Sequence, residues 1–281
     1  MNRVHDTAGG RAGGGHPWSP APAVWFSIAV LAGAVGAVVV QPALWPWALG
    51  AIAVNFLLLF AAVFFPRSRV LGANLSRLSA PAAARREICL TFDDGPDPEV
   101  TPRVLDLLDR YQAKASFFCV GEKARACPEI VREIARRGHG VENHSHRHSM
   151  AFAIYGIFRV QREVELAQAT LSGITGRTPR FFRAPVGLRS PLVDPVLARC
   201  GLTYVSWTRR GLDTIDRDPQ RVLARLCRGL AAGDILLLHD HGKARTPDGT
   251  PVVLAVLPEL LRRLRSMGFT PVTLATASDG T

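Results

Sequence analysis

The sequence lacks charge over one long continuous stretch. Residues 17–66 contain no Asp, Glu, Lys, Arg or His, and residues 67–86 contain five Arg and no acid. The surface of a soluble domain carries charged side chains throughout, whereas a bilayer-spanning helix needs about 20 consecutive apolar residues. This absence excludes an ordinary soluble surface for residues 17–66, and the basic segment that follows favours contact with a membrane surface.

Acidic residues are scarce in the whole chain as well. Asp and Glu total 23 against 34 Lys and Arg, which gives a formal charge of +11. A nucleic-acid-binding domain typically interleaves basic residues with exposed aromatic ones. Here much of the excess charge lies beside the apolar stretch instead. We therefore expect a membrane as partner and no nucleic acid.

The cysteine pattern does not indicate a disulfide framework. The five Cys show no C-x-x-C spacing, and one of them must stay unpaired. Such a set favours a reducing compartment over an oxidising one.

The uncharged stretch divides into two spans. Val24–Val40 and Ala43–Phe65 are each close to spanning length, and Gln41-Pro42 separates them. We predict a tight transmembrane hairpin; the alternative is a cleaved signal peptide followed by one buried core helix. Four tryptophans lie near the expected membrane interfaces, where indole rings accumulate: Trp18, Trp25, Trp45 and Trp47.

The chain is thus expected to have four parts. Residues 1–20 form a flexible, Gly-rich segment, and residues 21–66 form a two-helix membrane anchor. Residues 67–86 form a basic connector, and residues 87–281 form a globular domain that is long enough for one core.

Short β-rich runs alternate with helical patterns in the globular part, which is typical of an α/β fold with a parallel sheet and crossover helices. We predict a distorted (β/α) barrel of about seven parallel strands, with the functional residues on the loops that follow the strands. The predicted strands are Ile88–Phe92, Ala115–Val120, Gly140–Asn143, Arg180–Arg183, Thr203–Trp207, Ile235–Leu238 and Phe269–Leu274. The predicted helices are Glu99–Gln112, Pro128–Arg137, Phe158–Gly173, Pro219–Leu230 and Val252–Met267.

Candidate metal ligands follow the first and third predicted strands. Asp93 and Asp94 precede a Gly-Pro turn, so one carboxylate can face a metal ion and the other a reacting water; the alternative is a solvated Asp-Gly turn. His144 and His148 are four residues apart, and one helical turn would bring both imidazoles onto a single ion. Two histidines and one carboxylate leave positions open for water and substrate. A polar surface loop is the alternative for the histidines.

Two further candidates follow later strands. Arg183 comes after the fourth strand, where its guanidinium can hold a carboxylate through two hydrogen bonds. His239 ends the apolar sixth strand. A lone histidine there is often structural, but opposite a metal ion and a second carboxylate it is a candidate general acid.

Together these residues resemble the NodB-type polysaccharide deacetylases, carbohydrate esterase family four, over nearly all of residues 87–281. Thr91–Pro96 is similar to the first motif of the family, and His144–His148 is similar to the second. Arg183–Gly187 is similar to the third motif, and Leu237–His239 to the fifth.

The resemblance implies a metal site and a hydrolytic reaction. Asp94, His144 and His148 would bind a divalent ion, zinc first, with cobalt, manganese or nickel as alternatives. The ion and a backbone N–H would stabilise the tetrahedral oxyanion that forms on an N-acetyl carbonyl.

The resemblance also implies the remaining roles. Asp93 would be the general base toward water, with Arg183 paired to it, and His239 would protonate the leaving amine. The residues expected to contact substrate or oxyanion are Pro185, Val186 and Trp207.

The fourth motif departs from the family pattern. After Trp207, Asp213 fits the aspartate expected to orient the general acid, but Arg210 replaces another acid and Thr214 replaces a common Trp. Val186 stands where an aromatic residue is frequent. We expect the reaction to be intact and the sugar pocket to differ from the usual one.

The expected function is removal of N-acetyl groups from an amino sugar in a polysaccharide or lipid-linked glycan. The alternatives are an O-acetyl esterase acting on polysaccharide and a non-catalytic carbohydrate-binding homologue. A non-catalytic homologue would be expected to lose Asp93, His144 or His239, all of which are present.

The flanking charges predict the topology. Five Arg follow the second span, Arg3 and Arg11 precede the first, and the turn between the spans is uncharged. Basic flanking segments stay cytoplasmic, so we expect a two-pass protein of the inner membrane with a cytoplasmic catalytic domain. The alternative is a periplasmic domain acting on peptidoglycan or exported polysaccharide.

Overall fold

The computed structural model describes residues 18–280, so nearly all of the predicted flexible segment, with Arg3 and Arg11, lies outside the described residues. The described chain opens with two apolar helices, α1 (Pro22–Val40) and α2 (Trp45–Val63), joined by a 3-10 turn at Pro42–Leu44. Pro42 has no backbone N–H with which to continue α1. Two separate helices therefore form where two spans are predicted.

The two helices contact each other through their few polar side chains. Ser27 Oγ donates a hydrogen bond to Asn55 Oδ1 at 3.0 Å, and both residues are buried. By contrast, Trp25, Phe56 and Leu57 are each more than half exposed. The second helix is therefore not the buried core helix of the alternative interpretation. Both helices are long and apolar enough to cross a bilayer.

The globular part contains one curled sheet of parallel strands. The strands are β1 (Glu87–Asp93), β2 (Ala115–Cys119), β3 (Gly140–Asn143), β4 (Phe181–Phe182), β5 (Thr203–Tyr204), β6 (Arg209–Arg210), β7 (Ile235–His239) and β8 (Thr270–Pro271). The strand order is β5-β4-β3-β2-β1-β7-β6, and β8 pairs with the start of β1. The central strand β1 is buried along its whole length, as expected for a parallel sheet covered on both faces.

Amphipathic helices cover the sheet. The helices after α2 are α3 (Ala80–Ala84) in the connector and, in the globular part, α4 (Thr101–Arg110), α5 (Gly121–Ala126), α6 (Pro128–Arg136), α7 (Ile157–Thr175), α8 (Val193–Arg199), α9 (Pro219–Cys227), α10 (Val252–Ser266) and α11 (Leu274–Asp279). In α4, for example, Val104, Leu105 and Leu108 form the apolar stripe that enters the core beside Leu90 and Phe92 of β1.

The predicted fold class is confirmed, with one strand added. All seven predicted strands are present, although the fourth, fifth and last are only two residues long. The additional strand β6 consists of Arg209 and Arg210, which pair with Leu236 and Leu237 of β7. Two consecutive arginines give no hydrophobic signal, so the sequence offered no basis for predicting it.

The connector, residues 67–86, packs against the globular part. Leu75 forms a parallel bridge with Val205, just beyond the edge strand β5. The buried Arg189 side chain donates hydrogen bonds to the backbone carbonyls of Gly72 and Ala73, both at 2.8 Å. The segment that leaves α2 is therefore held in a defined place on the domain.

Candidate active site

The two adjacent aspartates diverge at the end of β1. Asp93 is the last residue of the strand, and Asp94 has a left-handed backbone with φ of 73°. A Cβ on Gly95 would overlap the Asp240 carboxylate, so only glycine fits at the next position. The backbone reversal turns the two carboxylates toward different partners.

Asp94, His144 and His148 converge on one point. Asp94 Oδ1 lies 2.9 Å from His148 Nε2 and 3.4 Å from His144 Nε2, and the three ligand atoms lie within 4.8 Å of one another. His144 Nδ1 faces the Arg183 carbonyl oxygen at 2.8 Å, so Nδ1–H donates there and Nε2 keeps a free lone pair. This donor set fits a divalent transition metal.

The ionisation of Asp94 also fits a metal ligand. Burial raises the pKa of its carboxyl, but the neighbouring His144 and His148 imidazoles lower that pKa more, and the net shift is downward. The carboxylate is therefore charged at neutral pH, as a ligand must be.

The loop that carries both histidines is not helical, so the predicted helical turn at residues 144–148 is wrong. Ser145 and His148 both have positive φ. Asn143 Oδ1 accepts a hydrogen bond from the Ser145 N–H, and Ser145 Oγ accepts one from the His148 N–H. Side-chain acceptors therefore replace the hydrogen bonds of a helix, and the histidines meet through a folded loop.

Arg183 holds Asp93 from behind. It is fully buried, and its Nη1 donates to Asp93 Oδ1 at 2.6 Å and to Thr91 Oγ1 at 2.9 Å. Its other nitrogens donate to the carbonyls of Val205 and Ser206. The carboxylate thus receives one hydrogen bond rather than the two predicted, because the sheet edge takes the rest of the guanidinium.

His239 is paired with Asp213. The two Asp213 oxygens accept from the His239 ring at Nδ1, 2.9 Å away, and from its backbone N–H, 2.8 Å away. Burial lowers the pKa of His239, but Asp213, with a smaller contribution from Asp93 and Asp94, raises the pKa to about 9. The imidazole is therefore protonated at neutral pH.

These groups share one cleft of about 300 Å³. Val186 reaches it through a left-handed backbone with φ of 59°, a strained conformation for a β-branched residue. Pro185 is buried beside Val186 and is not among the residues that line the cleft. Asp213 and Arg183 do not line the cleft either; they support His239 and Asp93, which do. The sequence-predicted residues on the cleft wall are Asp93, Asp94, His144, His148, Val186, Trp207 and His239.

Two supporting acids were missed by sequence reasoning. Glu163 Oε2 on α7 accepts from the backbone N–H groups of His146 and Arg147 and so holds the histidine loop. Asp240 is buried, accepts from Thr101 Oγ1 at 2.6 Å, and has a pKa that burial raises to about 7. For Asp240 the available signal was that it directly follows His239 in the chain. For Glu163 the signal was an acid on the apolar stripe of its helix, because it shares the buried face of α7 with Val160, Val164 and Ala167.

Comparison with known proteins identifies the family. A family model described as polysaccharide deacetylase matches residues 81–205. A peptidoglycan-N-acetylglucosamine deacetylase of Bacillus cereus is 31% identical over 195 residues, which are 67% of this chain and 86% of that protein. A chitooligosaccharide deacetylase of Azorhizobium caulinodans is 34% identical over 192 residues, 65% of this chain and 90% of that protein.

A solved structure agrees with the sequence relatives. The family 4 carbohydrate esterase of Streptomyces lividans, in complex with acetate, matches with a TM-score of 0.60 and 29% identity, over 66% of this chain and 91% of that chain. The chain therefore belongs to the polysaccharide deacetylase family, carbohydrate esterase family four. It is a deacetylase that acts on carbon–nitrogen amide bonds, and the resemblance noted in the sequence is confirmed.

Proposed function

We propose that this protein removes N-acetyl groups from an amino sugar by metal-dependent hydrolysis at the membrane. The observation that carries the proposal is the shared cleft, in which the Asp94, His144 and His148 ligand atoms converge beside Asp93, and His239 lines the same wall. A divalent ion held by these three ligands, zinc in the first place, supplies a Lewis acid for the acetyl carbonyl and makes water more acidic.

Asp93 acts as the general base. Arg183 occupies its Oδ1, which leaves Oδ2, 3.8 Å from His144 Nε2, free to accept a proton from the attacking water. The ion pair with Arg183 fixes the orientation of the carboxylate. The water oxygen then bonds to the acetyl carbon.

His239 acts as the general acid. Its Nδ1 is engaged by Asp213, so Nε2 is the atom that gives a proton to the sugar nitrogen as the carbon–nitrogen bond breaks. The products are acetate and a free amino sugar. Val186 and Trp207 line the cleft where substrate and developing oxyanion would lie, with Pro185 behind.

The test is acetate and amine release from an N-acetylated chitooligosaccharide by the full-length protein in detergent. Chelation should abolish release, and added zinc or cobalt should restore it. His148→Ala should lose bound metal in elemental analysis, whereas Asp93→Asn should keep the metal and lose about 10²–10⁴ in kcat. Asp106→Asn is the matched control, because Asp106 is an exposed carboxylate on α4 that pairs with Arg137. Acetate release from an O-acetylated sugar alone would favour the esterase alternative and overturn the proposal.

The position of the cleft supports a membrane-attached substrate. Gly187 lines the cleft, and a Cβ built on it would lie 3.5 Å from Cβ of Pro66. Pro66 is only three residues beyond Val63, the last residue of α2. Because the catalytic cleft opens beside the end of the membrane anchor, a lipid-linked amino sugar is the substrate that reaches it most directly.

We further propose that the catalytic domain is cytoplasmic. Arg67 and Arg69 follow α2 immediately and are the charges best placed to keep this end of the helix on the cytoplasmic side. Arg77 and Arg85 pair with Asp234 and Glu87, so they contribute less charge to the membrane surface.

A further inference from the structure

Arg210 is an arginine without an acidic partner in the wall of the catalytic cleft. It is half-buried, its Nε is buried without a hydrogen-bond partner, and within residues 18–280 it forms no ion pair. Its guanidinium carbon lies 5.5 Å from the centre of the Trp207 ring, within the range of a cation–π contact.

The neighbouring arginine, Arg209, does have an acidic partner. Arg209 precedes Arg210 in β6, and its side chain leaves the opposite face of the strand. There Arg209 Nε meets Asp234 at 3.0 Å. Asp234 thus neutralises Arg209, whereas the N–H donors of Arg210, on the cleft face, remain available to a ligand in the cleft.

A second cation lines the same cleft. Lys243 has a half-exposed side chain, and its Nζ lies 3.9 Å from Asp94 Oδ2. Of the two acids that line the cleft, Asp93 pairs with the buried Arg183, and Asp94 contacts the two histidines. Within residues 18–280 neither acid pairs with Arg210, and a neutral sugar polymer does not require the positive charge of this side chain.

We propose that Arg210, with Lys243, forms an anion subsite that binds a phosphate carried by the glycan substrate. Guanidinium offers a planar fork of N–H donors that matches phosphate oxygens. The inference rests on the proposed function and adds the charge of the substrate to it. Together with the cleft position beside Pro66, it points to an amino sugar joined to a lipid through phosphate.

The experiment compares three substrates with the full-length protein in detergent or vesicles: neutral chitooligosaccharide, N-acetylglucosamine 1-phosphate, and polyprenyl-phosphate-linked N-acetylglucosamine. We expect the phosphate-bearing sugars to have the higher kcat/KM. Arg210→Gln should lower the ratio of phosphate-bearing to neutral kcat/KM about tenfold or more, mainly through KM. Arg210→Lys, which keeps the charge, should retain part of the preference.

The matched control is Arg217→Gln, which removes the same charge from an exposed side chain outside the cleft and should leave the ratio unchanged. Equal losses on all substrates in Arg210→Gln, or an unchanged ratio, would overturn the subsite. A lipid-linked substrate that exceeds the soluble sugar phosphate identifies the lipid as the source of the phosphate, and the reverse order identifies a soluble ester.

Direct binding separates failure of the subsite from failure of the proposed function. Calorimetric titration with N-acetylglucosamine 1-phosphate and with N-acetylglucosamine needs no turnover. If no substrate releases acetate but Arg210→Gln weakens phosphate-sugar binding and Arg217→Gln does not, the proposed function fails and the subsite stands. If the wild type binds both sugars equally, the subsite fails whether or not acetate is released.

Discussion

At the scale of single residues, the proposed role of His239 as general acid depends on Asp213. Burial alone would lower the pKa of this imidazole, and the adjacent carboxylate raises that pKa to about 9 instead. The catalytic form of a general acid is the protonated one. A raised pKa therefore keeps His239 competent through neutral pH and lets activity fall only as the pH approaches that value.

Removing the carboxylate should reverse this effect. Asp213→Asn removes the largest contribution that opposes burial and leaves only the smaller ones of Asp93 and Asp94, so the pKa of His239 falls and the basic limb of the pH profile of kcat/KM moves to lower pH. Asp216→Asn is the control, because this carboxylate in the same loop pairs with Arg221 and Arg225. A basic limb that stays in place in Asp213→Asn would remove Asp213 from this role.

At the scale of elements, the loop after β3 brings the two candidate histidine ligands together. It lacks helical hydrogen bonds, and Glu163 on α7 accepts from two of its backbone N–H groups, those of His146 and Arg147. The shape of the metal site is therefore set partly by a helix that contributes no ligand.

We expect Glu163→Ala to weaken metal binding. Without the carboxylate, the His146 and Arg147 N–H groups lose their acceptor, the loop loosens, and the metal dissociation constant should rise about tenfold or more. Glu163→Gln should be milder, since its amide oxygen can accept the same bonds. Glu165→Ala on the same helix serves as control, because Glu165 accepts a surface hydrogen bond from Gln161. Equal metal affinity in Glu163→Ala and Glu165→Ala, measured by competition with a chelator, would contradict this role.

At the scale of the whole molecule, the connector joins the two apolar helices to the globular part in a defined place. Arg189 and the Leu75–Val205 bridge hold the connector against the sheet edge. In the proposed membrane arrangement the connector and the cleft therefore lie on the same side of the membrane. Topology therefore decides which glycans the enzyme can meet.

A reporter fused to the carboxyl terminus tests the topology. The basic residues after α2 predict that a reporter active only in the periplasm stays inactive, and that one active only in the cytoplasm works. Replacing Arg67 and Arg69 with Glu should weaken this orientation, whereas replacing the distant, exposed Arg262 and Arg265 should not. Clear periplasmic activity of the unmodified chain would sink the cytoplasmic assignment.

The sequence alone determined the two apolar helices, seven of the strands and the family resemblance. Apolar runs of spanning length form helices that can cross a bilayer, and period-2 and period-3.6 patterns mark strands and helices locally. Asp93 and Asp94 are adjacent and His144 and His148 are four residues apart, so the local spacing within each pair is enough to recognise these residues as candidates. These features depend on neighbours in the chain.

Only the tertiary structure decided how these residues are supported. The single bond from Arg183 to Asp93 joins residues 90 positions apart, and Glu163 reaches the histidine loop from another helix. The placement of Pro66 beside Gly187 and the absence of an acid opposite Arg210 within residues 18–280 likewise follow from packing. Burial and ion pairing depend on which side chains, distant in the chain, come into contact when the sheet forms. Local sequence periodicity does not predict those contacts.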